Sequence, residues 1–176
     1  QIFGGNNYHL GNSWRFDNLI TLLDQTSQAD FWVPPLLRYR EVFGDRRIVD
    51  FLHRLENKFC GDWITGQMPN DRIMAMNKVT AAIDEVDSQT GLSLDQKLEG
   101  LLSSAVFEYD RAQFQRTLDS DIVYGRRFAR YLLFKLDVLF ASPDTRLQAP
   151  RDMSVEHILP QNPAAESRSE EHTSEL

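Results

Sequence analysis

Near one end of the sequence an acidic residue and a histidine stand side by side, Glu156-His157, followed by Ile158-Leu159-Pro160-Gln161. An imidazole with an ordinary pKa of about 6.5 accepts a proton at neutral pH. A carboxylate is a hard oxygen donor of the kind that divalent cations select. Hydrolysis of a phosphodiester needs both functions, a base that readies a water and a cation that offsets charge on the phosphate. On an extended strand adjacent side chains point to opposite faces. Glu156 and His157 can therefore serve one site only if the backbone bends just after them, and Ile158-Leu159-Pro160 is placed to do this. The plainer reading of His157 is a half-exposed strand residue with one backbone hydrogen bond, and Gln161 and Asn162 read as turn formers. His53, between Leu52 and Leu55, reads as a boundary residue of a helix, and His9 lies in loop-like sequence. Cys60, beside Phe59 in an apolar pattern, reads as a small buried hydrophobe. With one cysteine the chain forms no internal disulfide and offers no paired-cysteine zinc site, so a reducing cytoplasm is the expected setting.

The string Ser154-Val-Glu-His-Ile-Leu-Pro-Gln-Asn-Pro163 resembles the opening of the HNH, or His-Me finger, nuclease domain at the C-terminus of GmrSD-type restriction endonucleases. The preceding sequence is similar to that family's helical middle region in Phe31-Trp-Val-Pro-Pro-Leu-Leu37, in Phe51-Leu-His-Arg-Leu-Glu56 and in the stretch from Tyr124 to Leu136, in the same order. The resemblance implies that His157 is the catalytic base and Glu156 a metal ligand, direct or through its neighbours. It implies a divalent cation, Mg²⁺ by preference, and DNA as the substrate of the intact protein, foreign or modified. It also implies an N-terminal ParB-like domain that uses nucleotide. The second half of the metal site, an Asn or His from a downstream strand and helix, has no counterpart in these residues. The site is expected to be incomplete in this chain and the chain by itself inactive.

The elements that must position this motif are helical. Ser13 precedes Trp14, Leu19, Leu22 and Leu23, the pattern of a capped first helix. Pro34 and Pro35 break or begin a helix, and Leu36–Phe43 is then a short helix that Gly44 ends. Asp45 is expected to cap a third, with Ile48, Phe51, Leu52, Leu55 and Phe59 on its apolar face, fraying between Gly61 and Gly66. Pro69-Asn70-Asp71 opens a fourth with Ile73, Met76, Val79 and Ile83 inward. Leu94–Leu102 and Asp110–Leu118 are shorter candidates. The widest apolar surface lies on a helix expected from about Asp121 to Phe140. Its main stripe is Phe128, Leu132, Leu136 and Leu139, and that width predicts burial on more than one side. Nothing before residue 150 alternates as strands do, so the class is all-α, a helical bundle-like domain followed by a short strand and loop that open a truncated ββα nuclease domain. The corresponding divisions are a helical domain over 1–142, a linker over 143–152 and the nuclease opening over 153–167. Residues 168–176 resemble the in-frame translation of a sequencing-library adapter and are set aside from the fold, His172 with them.

Composition limits what the helical part does. Asp and Glu number 26 against 19 Lys and Arg, a net charge of −7, whereas a module built to grip DNA is usually basic on at least one face. Two groups of arginines, Arg38, Arg40, Arg46 and Arg47, and Arg126, Arg127 and Arg130, could meet phosphates. Pairing with neighbouring acids on solvated helix faces is the preferred reading of both. Trp14, Trp32 and Trp63 read as core or contact residues. No stretch approaches the roughly 18 apolar residues of a membrane span, and the opening residues do not resemble a signal peptide. Two rivals to the nuclease reading stand beside it: a non-enzymatic all-α interaction or spacer module, and a helical domain that reads DNA, which the acidic balance disfavours.

Overall fold

The computed structural model describes residues 14–26, 29–120 and 123–148, and among them the fold is all-α. Seven α-helices follow one another: α1 (Arg15–Thr26), α2 (Val33–Phe43), α3 (Ile48–Ile64), α4 (Pro69–Ser88), α5 (Leu94–Leu102), α6 (Arg111–Leu118) and α7 (Ala129–Phe140). Short 3-10 turns at Ala105–Phe107 and Val123–Gly125 precede α6 and α7.

α3 is the axis of the core. Its Phe51, Leu52, Leu55 and Phe59 have no solvent exposure, and α1, α2, α4, α5 and α6 all pack against it. α2 pairs with α4, and α1 with α7. Tyr39 stacks on Phe51 with ring centroids 3.9 Å apart, and Phe107 meets the far edge of Phe51 at 5.9 Å. Such aromatic pairs add about 0.5–1.5 kcal/mol each beyond the area they bury.

Helix boundaries follow local chemistry. Pro34 and Pro35 occupy the first turn of α2, where their missing N–H groups are not needed. The helix stops at Gly44, whose φ of 63° suits a residue without a Cβ. Asp45 does not cap α3. The residue before α3 is Arg47, held at φ 48°, and no side chain caps the helix; Asp45 instead accepts a hydrogen bond from Arg40 Nε at 3.1 Å. Ion pairs from Arg47 to Asp50 at 2.9 Å and Glu99 at 2.8 Å hold this left-handed residue in place.

α3 ends at Ile64, within the interval bracketed by Gly61 and Gly66 as expected, and the Tyr109 ring lies directly over the Gly61 backbone. A Cβ at residue 61 would stand 2.6 Å from Tyr109 Cγ, so only glycine admits the contact. One expectation for α4 needs correction: its buried face is Arg72, Met76, Val79 and Ile83, while Ile73 is exposed. The guanidinium of Arg72 takes the place expected for an apolar side chain by lying over aromatic rings, 4.5 Å from the Phe59 centroid and 5.9 Å from that of Trp63.

Another correction concerns the last helix. α7 begins at Ala129, not Asp121, since i→i+3 hydrogen bonds from Arg126 N to Val123 O and from Ala129 N to Arg126 O turn the chain around Gly125 first. Nor is it sheathed on several sides. Phe128, Ala129, Tyr131 and Phe134 are buried, but Leu136, Leu139 and Phe140 are 48, 58 and 85% exposed. The turn at 123–128 rotates the helix so that Phe128 meets the edge of Trp63 at 6.1 Å, and half the expected stripe faces outward.

The segment after α7 returns to the helical body. Trp14 N donates to Pro143 O at 2.8 Å. Asn18, 3% exposed, donates from Nδ2 to Thr145 O and accepts from Leu147 N through Oδ1, each at 2.9 Å. Arg146 lies over the Trp14 ring at 4.9 Å. The first residues expected to form a linker are thus fastened to α1. No helix among the described residues is long and apolar enough to cross a membrane.

Candidate functional site

Glu156 and His157, the residues with the clearest chemical signature, lie outside the described residues, as do the strand expected at Met153, the adapter-like tail, His9 and Ser13. Among the described residues no group of three or more His, Cys, Asp or Glu side chains is placed to hold a metal ion.

Within the helical domain the notable geometry lies between α3, α6 and α7. There a groove of about 400 Å³ is lined mainly by apolar side chains, Phe114, Leu118, Val123, Leu132, Leu136 and Leu139 among them. Its polar members are Asn57, Tyr109, Tyr131 and Lys135. Beside it the fully buried Glu56 of α3 meets two donors from α7. Tyr131 Oη donates to Glu56 Oε1, and Lys135 Nζ donates to Glu56 Oε2. Tyr131 and Lys135 are four residues apart on one helix and therefore share a face, so a single carboxylate receives both. Each oxygen of the Glu56 carboxylate thus receives a donor from α7. The cluster clasps α7 to α3.

The other titratable groups nearby are similarly committed. Cys60 is wholly buried and its thiol is pushed up by that burial, then by the Glu56 charge, which makes it inert as a nucleophile. The Tyr131 hydroxyl is raised for the same first reason, burial. His53, half-buried on α3, is held below its ordinary value by burial and by the neighbouring Lys135 charge, and stays neutral at physiological pH. A second, polar groove beside the start of α4 is lined by mixed charges. In it Lys58 Nζ bridges Asp62 Oδ1 at 2.9 Å and Glu108 O at 2.8 Å. Burial raises the Asp62 carboxyl, against the pull of Lys58.

The two arginine groups separate clearly. Arg38 pairs with Glu41 at 2.8 Å and Asp84 at 2.6 Å, Arg40 with Asp45 at 3.1 Å, and Arg47 with Asp50 and Glu99. Arg126, Arg127 and Arg130 are exposed, and among the described residues none of them forms an ion pair. The expected pairing with acids holds for three arginines of the first group and for none of the second.

Glu56, Tyr131 and Lys135 escaped the sequence reading because Glu56 stood in a helical pattern and Tyr131 in an apolar stripe. One signal was available: a glutamate at residue 56 falls between Leu52, Leu55, Phe59 and Cys60, on the inward face of α3, where a charge needs a partner. Neither a protein-family model, nor a curated protein, nor a solved structure matches this chain.

Proposed function

We propose that this chain belongs to a GmrSD-like restriction endonuclease, as its helical middle region running into the opening strand and loop of an HNH nuclease domain. The observation that carries the reading is the string Ser154–Pro163, with an acid, a histidine, two apolar residues and Pro-Gln in sequence. The family-like patterns at Phe31–Leu37, Phe51–Glu56 and Tyr124–Leu136 support it by preceding that string in the family's order. In this reading His157 is the base and Glu156 a ligand of a divalent cation, Mg²⁺ by preference. The substrate is DNA, met in the cytoplasm, and a ParB-like nucleotide-using domain precedes the helical region in the intact protein. The cation would offset charge on the scissile phosphate.

A second reading, an all-α interaction module, is favoured by one observation: α7 leaves Leu136, Leu139 and Phe140 exposed beside an apolar groove. One assay separates the two. The natural full-length protein and its His157→Ala form are compared for nicking of modified phage DNA with Mg²⁺ present. The nuclease reading expects nicking by the first and none by the second, since losing a general base removes about 10²–10⁴-fold of rate. Equal nicking by both forms would sink the assignment of His157 as the base, and none by either would leave the interaction module standing.

A further inference from the structure

We infer that Arg126, Arg127 and Arg130 form a contact surface for the sugar-phosphate backbone of double-stranded DNA. The three lie within one turn of each other where the chain enters α7: two in the turn before Phe128, whose φ and ψ start the helix, and the third in its first turn. All three are exposed, and none is paired with an acid among the described residues. Each aspect of that placement works against the fold. Cations at a helix N-terminus oppose the helix dipole, and no acidic residue stands in the first turn of α7. Arg46 and Arg116 also form no ion pair among the described residues, but each stands apart from other unpaired arginines in the sequence, and the remaining arginine pairs run the other way. Arg38, Arg40 and Arg47 are neutralised by acids on the same or adjacent helices, in a protein whose acidic residues outnumber its basic ones. Three closely spaced guanidinium groups with no acidic partner among the described residues present a cationic face that an anion from outside the helical body can meet.

Phosphodiester backbone is the anion favoured here. Guanidinium groups form forked hydrogen bonds to phosphate oxygens, and duplex DNA presents such charges in closely spaced rows that three adjacent arginines can meet together. The choice of DNA over other polyanions rests on the nuclease reading; the surface itself does not. Contacts of this kind fix position on a duplex without reading its sequence. They would give the helical domain a positioning role while the chemistry belongs elsewhere.

The test is equilibrium binding of the 176-residue chain to a fluorescent duplex of about 30 base pairs, followed by anisotropy. Three forms are compared: the native chain, the Arg126→Gln/Arg127→Gln/Arg130→Gln variant, and a charge-matched Lys78→Gln/Arg111→Gln/Arg116→Gln variant altered at exposed positions outside the trio. Circular dichroism checks that all three are folded. Three phosphate contacts predict a salt slope near −2.7, so native affinity falls about 40-fold between roughly 50 and 200 mM salt. The arginine variant should bind at least about 10-fold more weakly at the lower salt and lose most of that slope, with the control variant unchanged. No binding by the folded native chain at low salt, equal binding by all three forms, or equal losses in both variants would overturn the proposal. So would arginine-dependent binding to phosphatidylserine vesicles without binding to duplex. Because cleavage is not measured, the nuclease reading can fail in the nicking assay while this surface stands.

Discussion

Replacing Glu56 with alanine tests the argument that a buried carboxylate clasps α7 to α3. Glu56 has no exposure, Lys135 is 12% exposed at its side chain and Tyr131 is 4% exposed as a residue, so removing the carboxylate orphans one ammonium and one hydroxyl in a largely dry environment. An orphaned buried hydroxyl costs about 1–3 kcal/mol. Breaking a buried ion pair by deleting one partner costs about 3–5 kcal/mol, because the other charge is left uncompensated. Lys135 stands at the rim of the groove and can partly regain water, which places Glu56→Ala at about 3–4 kcal/mol. Lys135→Met should cost about as much, since it leaves a buried anion with a single donor, whereas Tyr131→Phe should cost only about 1–2 kcal/mol. Replacing all three groups together, as Glu56→Leu/Tyr131→Phe/Lys135→Met, removes every uncompensated polar group and should return stability to within about 2 kcal/mol of the native chain. Urea unfolding followed by circular dichroism reads these differences. With a slope of about 2 kcal/mol per molar, Glu56→Ala should lower the midpoint by about 1.5–2 M. A shift below about 0.5 M, or a triple variant no more stable than Glu56→Ala, would refute the clasp.

Two further outcomes follow from burial. Phe134→Ala should cost about 3–5 kcal/mol in the same assay, while Phe140→Gln, six positions along α7, should change stability by less than about 0.5 kcal/mol because its side chain already faces solvent; similar losses in both would restore burial on both faces of α7. His53 is held neutral by burial, so its folded pKa lies below its unfolded value of about 6.5. Its contribution to stability is therefore fully present above that value, and is lost as pH falls through the interval down to the folded pKa. Proton NMR of the imidazole should show a midpoint below 6.5, and a midpoint above it would contradict the burial argument.

Helix existence was legible in this sequence because its punctuation is local. Pro34-Pro35, Gly44, Pro69 and Asp110 mark ends through φ preferences and missing or satisfied backbone donors, which neighbouring residues decide. Facing was legible only where one stripe is apolar and the other polar, as on α3. On α7 nearly every position is apolar, so periodicity could not say which half meets the core, and the turn around Gly125 settled it. Arg72 was illegible for a related reason: its burial depends on two rings supplied by another helix. The clasp joins residues 75 and 79 positions apart, a pairing that no local pattern announces. Glu156 and His157 are the reverse case, read wholly from a short string and lying outside the described residues.

The fastening of residues 143–147 onto α1 changes the leash on whatever follows. A free tether spanning residues 142–152 would give residue 153 an r.m.s. reach of about 18 Å from the end of α7. With Leu147 held by Asn18, only about five residues separate that anchor from residue 153, and even wholly free they would span about 12 Å. The origin of that reach also moves, from the tip of α7 to the side of α1. The helical body thus holds the chain as far as Leu147, beside α1 and not at the tip of α7. Replacing Asn18 would lengthen the leash without altering a single residue of the segment itself.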